Sequence, residues 1–395
     1  MQRLIFHVDV NSAFLSWEAA RRAAAGEADL RLIPSAIGGD RDKRTGIILA
    51  KSIPAKAFGV TTGEPVGMAL RKCPQLVLAP PDFRLYSKNS KAFIAVCRRY
   101  APVVEQVSID ECFLDMTGTG LLYPDPVAIA HIIKDTIFSE LGFTVNVGIA
   151  PNKLLAKMAS DFEKPDKVHT LFAHEIPQKL WPLPVGSLFS VGRSTAEKLT
   201  AARIRTIGDL AQADLAYIQR LTGVKLGKLI HDYANGIDDS TVVLAPSKAK
   251  GIGNSTTLSS DATTKEEACK VLLSLCESVG RRLRASHQLA GQICTEIRYS
   301  DFRNVSHQMP IDIPTASVNL LYEDACALFD ELWDSTPIRL LGIRTSKLVP
   351  EDEPVQLSLF DFPAPRSEKQ QKLDAALDNI RAKYGKDAIK RGRFL

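Results

Sequence analysis

Two neighbouring acids, Asp110 and Glu111, stand inside an otherwise mostly apolar run, Val107-Ser108-Ile109-Asp110-Glu111-Cys112-Phe113-Leu114-Asp115. Adjacent like charges are costly in a desolvated place, because neither stays ionised without a counter-charge, and a divalent cation is the simplest remedy. Read as a strand with period 2, the run puts Val107, Ile109, Glu111 and Phe113 on one face and Ser108, Asp110, Cys112 and Leu114 on the other. The two carboxylates then diverge, so a shared ion requires a twist or a strand end; a surface hairpin with two solvated acids is the competing reading. Asp9 supplies a third carboxylate where the apolar run Leu4-Ile5-Phe6-His7-Val8 hands over to a helix through Phe14, Trp17 and Ala20, with Asn11 and Ser12 placed to cap it. Taken alone, Asp9 also suits a plain strand-end or capping role. Lys56 and Lys164 lie in the same half of the chain. Acids that clamp two divalent ions roughly 4 Å apart activate an attacking hydroxyl and stabilise a leaving pyrophosphate, and Mg2+ suits carboxylate and phosphate oxygens. Lysines would neutralise a triphosphate. Nucleotidyl or phosphoryl transfer is the class of chemistry these residues point to.

The elements that position them follow from pattern. The 395 residues predict two to four domains, and 45% hydrophobic content is ample for their cores. No apolar run approaches the roughly 20 residues that span a bilayer, and residues 1–9 are too short and too soon acidic for a signal peptide, so an intracellular protein is expected. Seven cysteines, at 73, 97, 112, 269, 276, 294 and 326, form no C-x-x-C pair and read as reduced core thiols. A net charge of +5 permits a polyanionic partner without demanding one. Strands at 4–8, 47–50, 107–115 and 144–150 alternate with helical patterns at 67–73, 86–100, 126–141 and 152–163, an α+β layer architecture. Lys51-Ser52-Ile53-Pro54-Ala55-Lys56 adds two lysines able to meet phosphates as point charges.

Pro182 and Pro184 mark a change of texture. Beyond them come short helices and glycine turns, including Val191-Gly192-Arg193 and Leu221-Thr222-Gly223-Val224, a helix-hairpin-helix pattern whose free amides suit a phosphate backbone. After a linker at 241–251, strands and helices spell βαββαβ through residue 348, opened by the capping box of Thr264 and Glu267. Helices cover one side of such a sheet. Its other face would be polar, with Arg298 and also Arg303, Arg344 or Lys347 near it, a surface able to track a phosphate backbone. An acidic linker then leads to Gln356-Leu357-Ser358-Leu359-Phe360, an apolar cluster suited to a partner's groove or to its own domain. Residues 366–393 are basic, with an amphipathic stripe of Leu373, Leu377, Ile380 and Tyr384.

Three motifs carry a resemblance to a known family. His7-Val8-Asp9-Val10-Asn11-Ser12-Ala13-Phe14, Ser108-Ile109-Asp110-Glu111-Cys112-Phe113-Leu114-Asp115 and Ala159-Ser160-Asp161-Phe162-Glu163-Lys164-Pro165 resemble, in order, the two metal motifs and the triphosphate-lysine motif of Y-family translesion DNA polymerases of the DinB/UmuC group. The resemblance runs from residue 4 to about 348 and implies a right-hand polymerase. Its palm would be 1–10 and 77–165, its fingers 11–76, its thumb 166–240 and its little finger 252–348, with a tail at 349–395. It implies two Mg2+ ions held by Asp9, Asp110, Glu111 and the Val10 carbonyl; because Asp110 and Glu111 diverge, Asp9 and Asp110 are expected to bridge both ions and Glu111 to serve the one at the primer hydroxyl. Phe14 would be the steric gate against ribonucleotides, and Ser52, Lys56 and Lys164 would contact the nucleotide. Ile53 and Lys56 depart from the Tyr and Arg usual in the family. Gln356, Leu357, Leu359 and Phe360 resemble the peptide by which bacterial polymerases bind the sliding clamp, and Gly192, Arg193, Arg298 and Arg344 are the candidate DNA contacts. The implied protein is a monomeric, lesion-tolerant, low-fidelity polymerase of the bacterial cytoplasm and nucleoid, acting on primed template and deoxynucleotides. A DNA- and clamp-binding factor with weak or absent synthesis is the alternative. A nuclease fits less well, since no general base stands out and a hydrolase has no need of Phe14.

Overall fold

The computed structural model describes residues 3–40, 46–244, 249–353, 368–385 and 388–389. The chain divides into two compact units, Met1–Pro246 and Ser247–Leu395. In the first, β1 (Ile5–Val10) leads into α1 (Ala13–Ala24), then β2 (Ser35–Gly38), β3 (Ile48–Lys51), α2 (Ile53–Ala57), α3 (Val66–Lys72) and β4 (Val77–Ala79). There follow α4 (Phe83–Cys97), β5 (Val103–Gln106), β6 (Glu111–Asp115), α5 (Pro126–Leu141), β7 (Val145–Ala150), α6 (Lys153–Ser160) and β8 (Val168–Thr170). The short helices α7 (Arg193–Ala201), α8 (Ile207–Gln212), α9 (Leu215–Thr222) and α10 (Val224–Ala234) complete it.

The main sheet has the order β5-β6-β1-β7-β8, and the small one β3-β2-β4. Central β1 is covered on both faces, as its unbroken apolar run requires. Phe6, Val8 and Val10 face the core built with α4 and α5, while Ile5 joins Phe113 in the core shared with α6 and the short helices. Alternation places His7 and Asp9 on the same face as Ile5. On that face α6 lies very close to β7: a Cβ added at Gly148 would overlap the backbone of Ala156 and Ser160.

Two expectations change here. The run 107–115 is not one strand: β5 and β6 pair antiparallel, and residues 107–110 form the turn between them, clasped by Ser108, whose Oγ accepts from the amides of Asp110 (3.2 Å) and Glu111 (3.1 Å). A serine that hydrogen-bonds its own backbone offers the chain an alternative to the ladder. Nor does Asn11 or Ser12 cap α1; Ser12 adopts a left-handed conformation at φ 47° without a capping bond, and Asn11 is used elsewhere.

The second unit contains β9 (Gly251–Ala262), α11 (Lys265–Ala285), β10 (Gln288–Tyr299), β11 (Asn304–Thr315), α12 (Val318–Leu332), β12 (Ile338–Pro350) and α13 (Glu368–Tyr384). The βαββαβ chain folds as an antiparallel sheet of order β11-β10-β12-β9, and Thr264 and Glu267 form their reciprocal cap. Ile293, Thr295, Ile297 and Tyr299 are buried toward the helices, where Thr295 Oγ1 donates to the Ala325 carbonyl at 3.2 Å. The tail helix α13 docks on α11 by its polar edge, through Arg284 with Asp378 (2.8 Å) and Arg381 with Glu277 (3.1 Å). Leu373 and Tyr384 of its expected apolar stripe are left exposed. The seven cysteines are free thiols, and no helix among the described residues is long and apolar enough to cross a membrane.

Candidate active site

The register of β1 against β6 sets Asp9 directly opposite Glu111, and the Val10 amide donates to the Asp110 carbonyl at 3.0 Å. Because Asp110 sits on the turn, its side chain escapes strict alternation. It lines the same cavity as Asp9, Val10, Phe14, Lys56 and Lys164, a space of about 640 Å3.

Each acid meets a protein donor. Asp9 Oδ1 accepts from Lys164 Nζ at 2.8 Å, and Lys164 also bridges to Asp161 at 2.9 Å. Burial nevertheless pushes the Asp9 carboxyl above its ordinary range, outweighing the pull of Lys164. Asp110 accepts from the Ser108 hydroxyl at 2.6 Å. Glu111 Oε2 lies 3.3 Å from His7 Nε2 and accepts from Lys157 Nζ at 2.8 Å; proximity of His7 first, then Lys157, holds its carboxyl down to about 2 against the opposing effect of burial. Beneath it, the fully buried His7 makes a 2.8 Å hydrogen bond through Nδ1 with Ser160 Oγ. Among the described residues no group of three or more His, Cys, Asp or Glu is gathered closely enough to hold a metal ion.

The lysine across the cavity is placed by asparagines. Asn11 Nδ2 donates to Asn146 Oδ1 at 3.0 Å and its Oδ1 accepts from the Asp166 amide at 3.0 Å, while Asn146 Nδ2 donates to the carbonyls of Ser160 (3.0 Å) and Glu163 (2.6 Å). The loop carrying Lys164 is thereby tied to the end of β1.

Phe14 forms part of the cavity wall and stacks on Tyr86, with ring centroids 4.4 Å apart and planes 10° from parallel. Ser52 lines the same cavity, and its buried hydroxyl is engaged by the backbone: it donates to the Ile33 carbonyl (2.8 Å) and accepts from the amides of Ser35 and Ala55 (3.1 Å each), so it caps α2 and joins β2. Lys56 does line the cavity, and Lys51 stands beside it with Nζ 3.3 Å from Thr62 Oγ1; burial first, then Lys56, lowers the Lys51 ammonium's pKa.

The candidate DNA contacts are dispersed. Gly192 precedes α7 in an extended conformation, and Arg193 is nearly fully exposed, paired with Glu197 at 2.9 Å. In the second unit, Arg344 is exposed on the helix-free face, in a shallow concavity with Ser255, Glu296, Ser306 and Gln308. Arg298 donates to Asn304 Oδ1 at 2.7 Å. Arg303 leaves that face: it lies 4.3 Å from the centroid of the Tyr299 ring, which faces the helices, and pairs with Asp334. Residues 356–360 lie outside the described residues.

The fold matches a solved Y-family DNA polymerase chimera of Dbh and Dpo4 with TM-score 0.77 at 21% identity, over 88% of this chain and 99% of that one. Family models match residues 8–161 (impB/mucB/samB family), 249–359 (its C-terminal domain) and 186–238 (DNA polymerase-iota, thumb domain). A DNA polymerase IV of Clostridium acetobutylicum is 46% identical, covering 100% of this chain and 99% of its own length. The chain belongs to the Y family of DNA polymerases. A Y-family relative of Bacillus subtilis, DNA polymerase IV 1, is 38% identical over 100% of this chain and 93% of its own. As a Y-family member the chain is a DNA-directed DNA polymerase with the family's mixed α+β architecture.

Around the Y-family acids, sequence reasoning missed His7, Lys157 and Asn146. His7 shares the strand face of Asp9 by simple alternation, a signal present in the sequence. Lys157 and Asn146 come from α6 and β7, and only the tertiary register brings them in.

Proposed function

We propose that this polymerase extends a primer across damaged template by nucleotidyl transfer with two Mg2+ ions. The observation that carries the reading is the convergence of Asp9, Asp110, Phe14, Lys56 and Lys164 on one cavity, with Glu111 opposite Asp9. Relatives named DNA polymerase IV support lesion bypass, and low fidelity is proposed with it. The palm is assigned to 1–10 and 77–165, the fingers to 11–76, the thumb to 166–240 and the little finger to 252–348.

The donor set fits Mg2+. It consists of carboxylate and carbonyl oxygens, the hard donors this ion takes, with Asp9 set opposite Glu111 and beside Asp110 in the same cavity. Asp9 and Asp110 would hold both ions with the Val10 carbonyl, and Glu111 would serve the one nearer the primer end. When bound, the ions supply Lewis-acid activation of the primer hydroxyl and charge neutralisation at the leaving pyrophosphate. The chain's own residues do the rest. Lys157 and His7 keep Glu111 ionised and aimed at the strand end. Lys164 guards the Asp9 charge and faces the cavity that would take the triphosphate, while Lys51 and Lys56 add charge at the same wall. Phe14 would deny room to a 2′-hydroxyl.

Primer extension with purified protein and Mg2+ tests the reading: wild type adds deoxynucleotides, and Asp110→Ala does not. Extension by Asp110→Ala at the full rate would refute the assignment of the centre, and DNA binding by the wild type without extension would favour the DNA- and clamp-binding alternative. For residues 356–360, Leu359→Ala with Phe360→Ala is expected to leave short-primer extension intact and remove stimulation by the clamp; retained stimulation would place that contact elsewhere.

A further inference from the structure

The ring that would police the sugar does not stand alone. Phe14 stacks face to face on Tyr86 at 4.4 Å and 10°, while Trp17 lies 6.0 Å away at a tilt and Phe83 meets it edge-on at 6.2 Å. Tyr86 is itself fully buried, close to Trp17 (5.8 Å) and Phe83 (5.7 Å). Trp17, in turn, meets Phe143 edge-on at 6.1 Å. Phe14 comes from the first turn of α1 and Tyr86 from the first turn of α4, so the stack ties two elements that the chain separates by some seventy residues.

The hydroxyl of Tyr86 contributes nothing to this arrangement. It is buried without a hydrogen bond of normal geometry, and leaving such a group unpaired is unfavourable. The ring itself is what the site uses: a flat, immobile backing plate parallel to Phe14. A gate discriminates only if it cannot retreat when a bulkier sugar presses on it, because close-packed side chains transmit strain where loosely packed ones yield.

We propose that Tyr86 is a positioning residue for sugar selection, holding Phe14 against the 2′-position of the incoming nucleotide. The inference rests on the reading of Phe14 as the gate. Tyr86 touches no reacting atom; it acts by denying Phe14 the space behind it.

The test is single-nucleotide incorporation by the full-length protein, with the ratio of kcat/KM for a ribonucleotide to that for the matching deoxynucleotide as the readout. Tyr86→Leu removes the plate and should raise that ratio about tenfold, in the range that one or two methyl groups of pocket space decide. Tyr86→Phe keeps the plate, drops the unpaired hydroxyl and should stay within about twofold of wild type. Phe83→Ala, at an exposed ring that touches both Phe14 and Tyr86, gives a version of the test that does not open the core and should raise the ratio by a smaller factor. If Tyr86→Leu and Phe83→Ala both leave the ratio unchanged while Phe14→Ala raises it, the inference fails and the gate stands. If Phe14→Ala also leaves it unchanged, the gate reading and the inference fall together. Equal losses with both sugars in Tyr86→Leu would make Tyr86 a structural residue only and would overturn the proposal.

Discussion

The two larger sheets of this polymerase treat charge in opposite ways. In the five-stranded sheet both faces are covered, and the acids at the strand ends are drawn into partly buried pairs: Asp9 with Lys164, Glu111 with Lys157 and His7. In the four-stranded sheet the helices take one face and leave Arg344 exposed among neutral side chains and Glu296 on the other. Burial converts a carboxylate into a reagent, because its charge must be answered by a few specific partners. Exposure leaves an arginine suited to meeting a phosphate at low specificity.

That contrast can be broken by experiment, beginning where the effect should be largest. Asp110→Ala or Asp9→Ala should lower the rate of primer extension by about 10^3-fold or more, measured in single-turnover assays at saturating Mg2+. A loss of only a few fold would mean that the covered sheet does not hold the reaction centre. Phe14→Ala should raise the ribonucleotide share of incorporation by about 10- to 100-fold, read from kcat/KM ratios.

A third change probes burial itself. Folding takes the Glu111 carboxyl from its ordinary 4.5 to about 2, so its stabilising contribution is complete above pH 4.5 and is lost as the pH falls through about 2. Glu111→Gln, followed by circular dichroism in chelator, should therefore cost on the order of 2 kcal/mol near neutrality and progressively less toward pH 2. A difference independent of pH would show that the pair with Lys157 and His7 is not what holds the side chain. Smallest of all, Arg344→Ala on the open sheet should weaken DNA binding several-fold for every sequence alike and reduce the slope of log affinity against log salt by about 1. Sequence-dependent loss would mean that this face reads bases.

What could be read in advance follows the same division. The βαββαβ unit was legible because its periodicities are long, its capping box is local, and one face is dry and the other wet. Asp9, Asp110, Phe14 and Lys164 were singled out through their motifs, and the structure brings these four to one cavity. Asp110 was harder. A strand pattern through residues 107–115 placed it opposite Glu111, and the actual turn depends on one serine preferring its own backbone to the ladder. Ser52 stands beside two lysines on the cavity wall, but the three backbone partners of its hydroxyl come from turns and strands that the sequence does not display. The tail helix docks by its polar edge and not by its apolar stripe, because α11 offers Arg284 and Glu277 to Asp378 and Arg381.

Gly148 has a consequence for how such an enzyme can diverge. Its missing side chain lets α6 rest backbone to backbone on β7, and α6 carries Lys157 and Ser160 and runs into the loop of Lys164. A single methyl there would lift the helix and carry Lys157, Ser160 and the loop of Lys164 outward together. Surface lysines and thumb helices can drift one by one through neutral substitutions, but this contact admits no intermediate step. In a library of random variants selected for synthesis, Gly148 should tolerate substitution less than the lysines that α6 and its loop carry, because any side chain there displaces the whole helix.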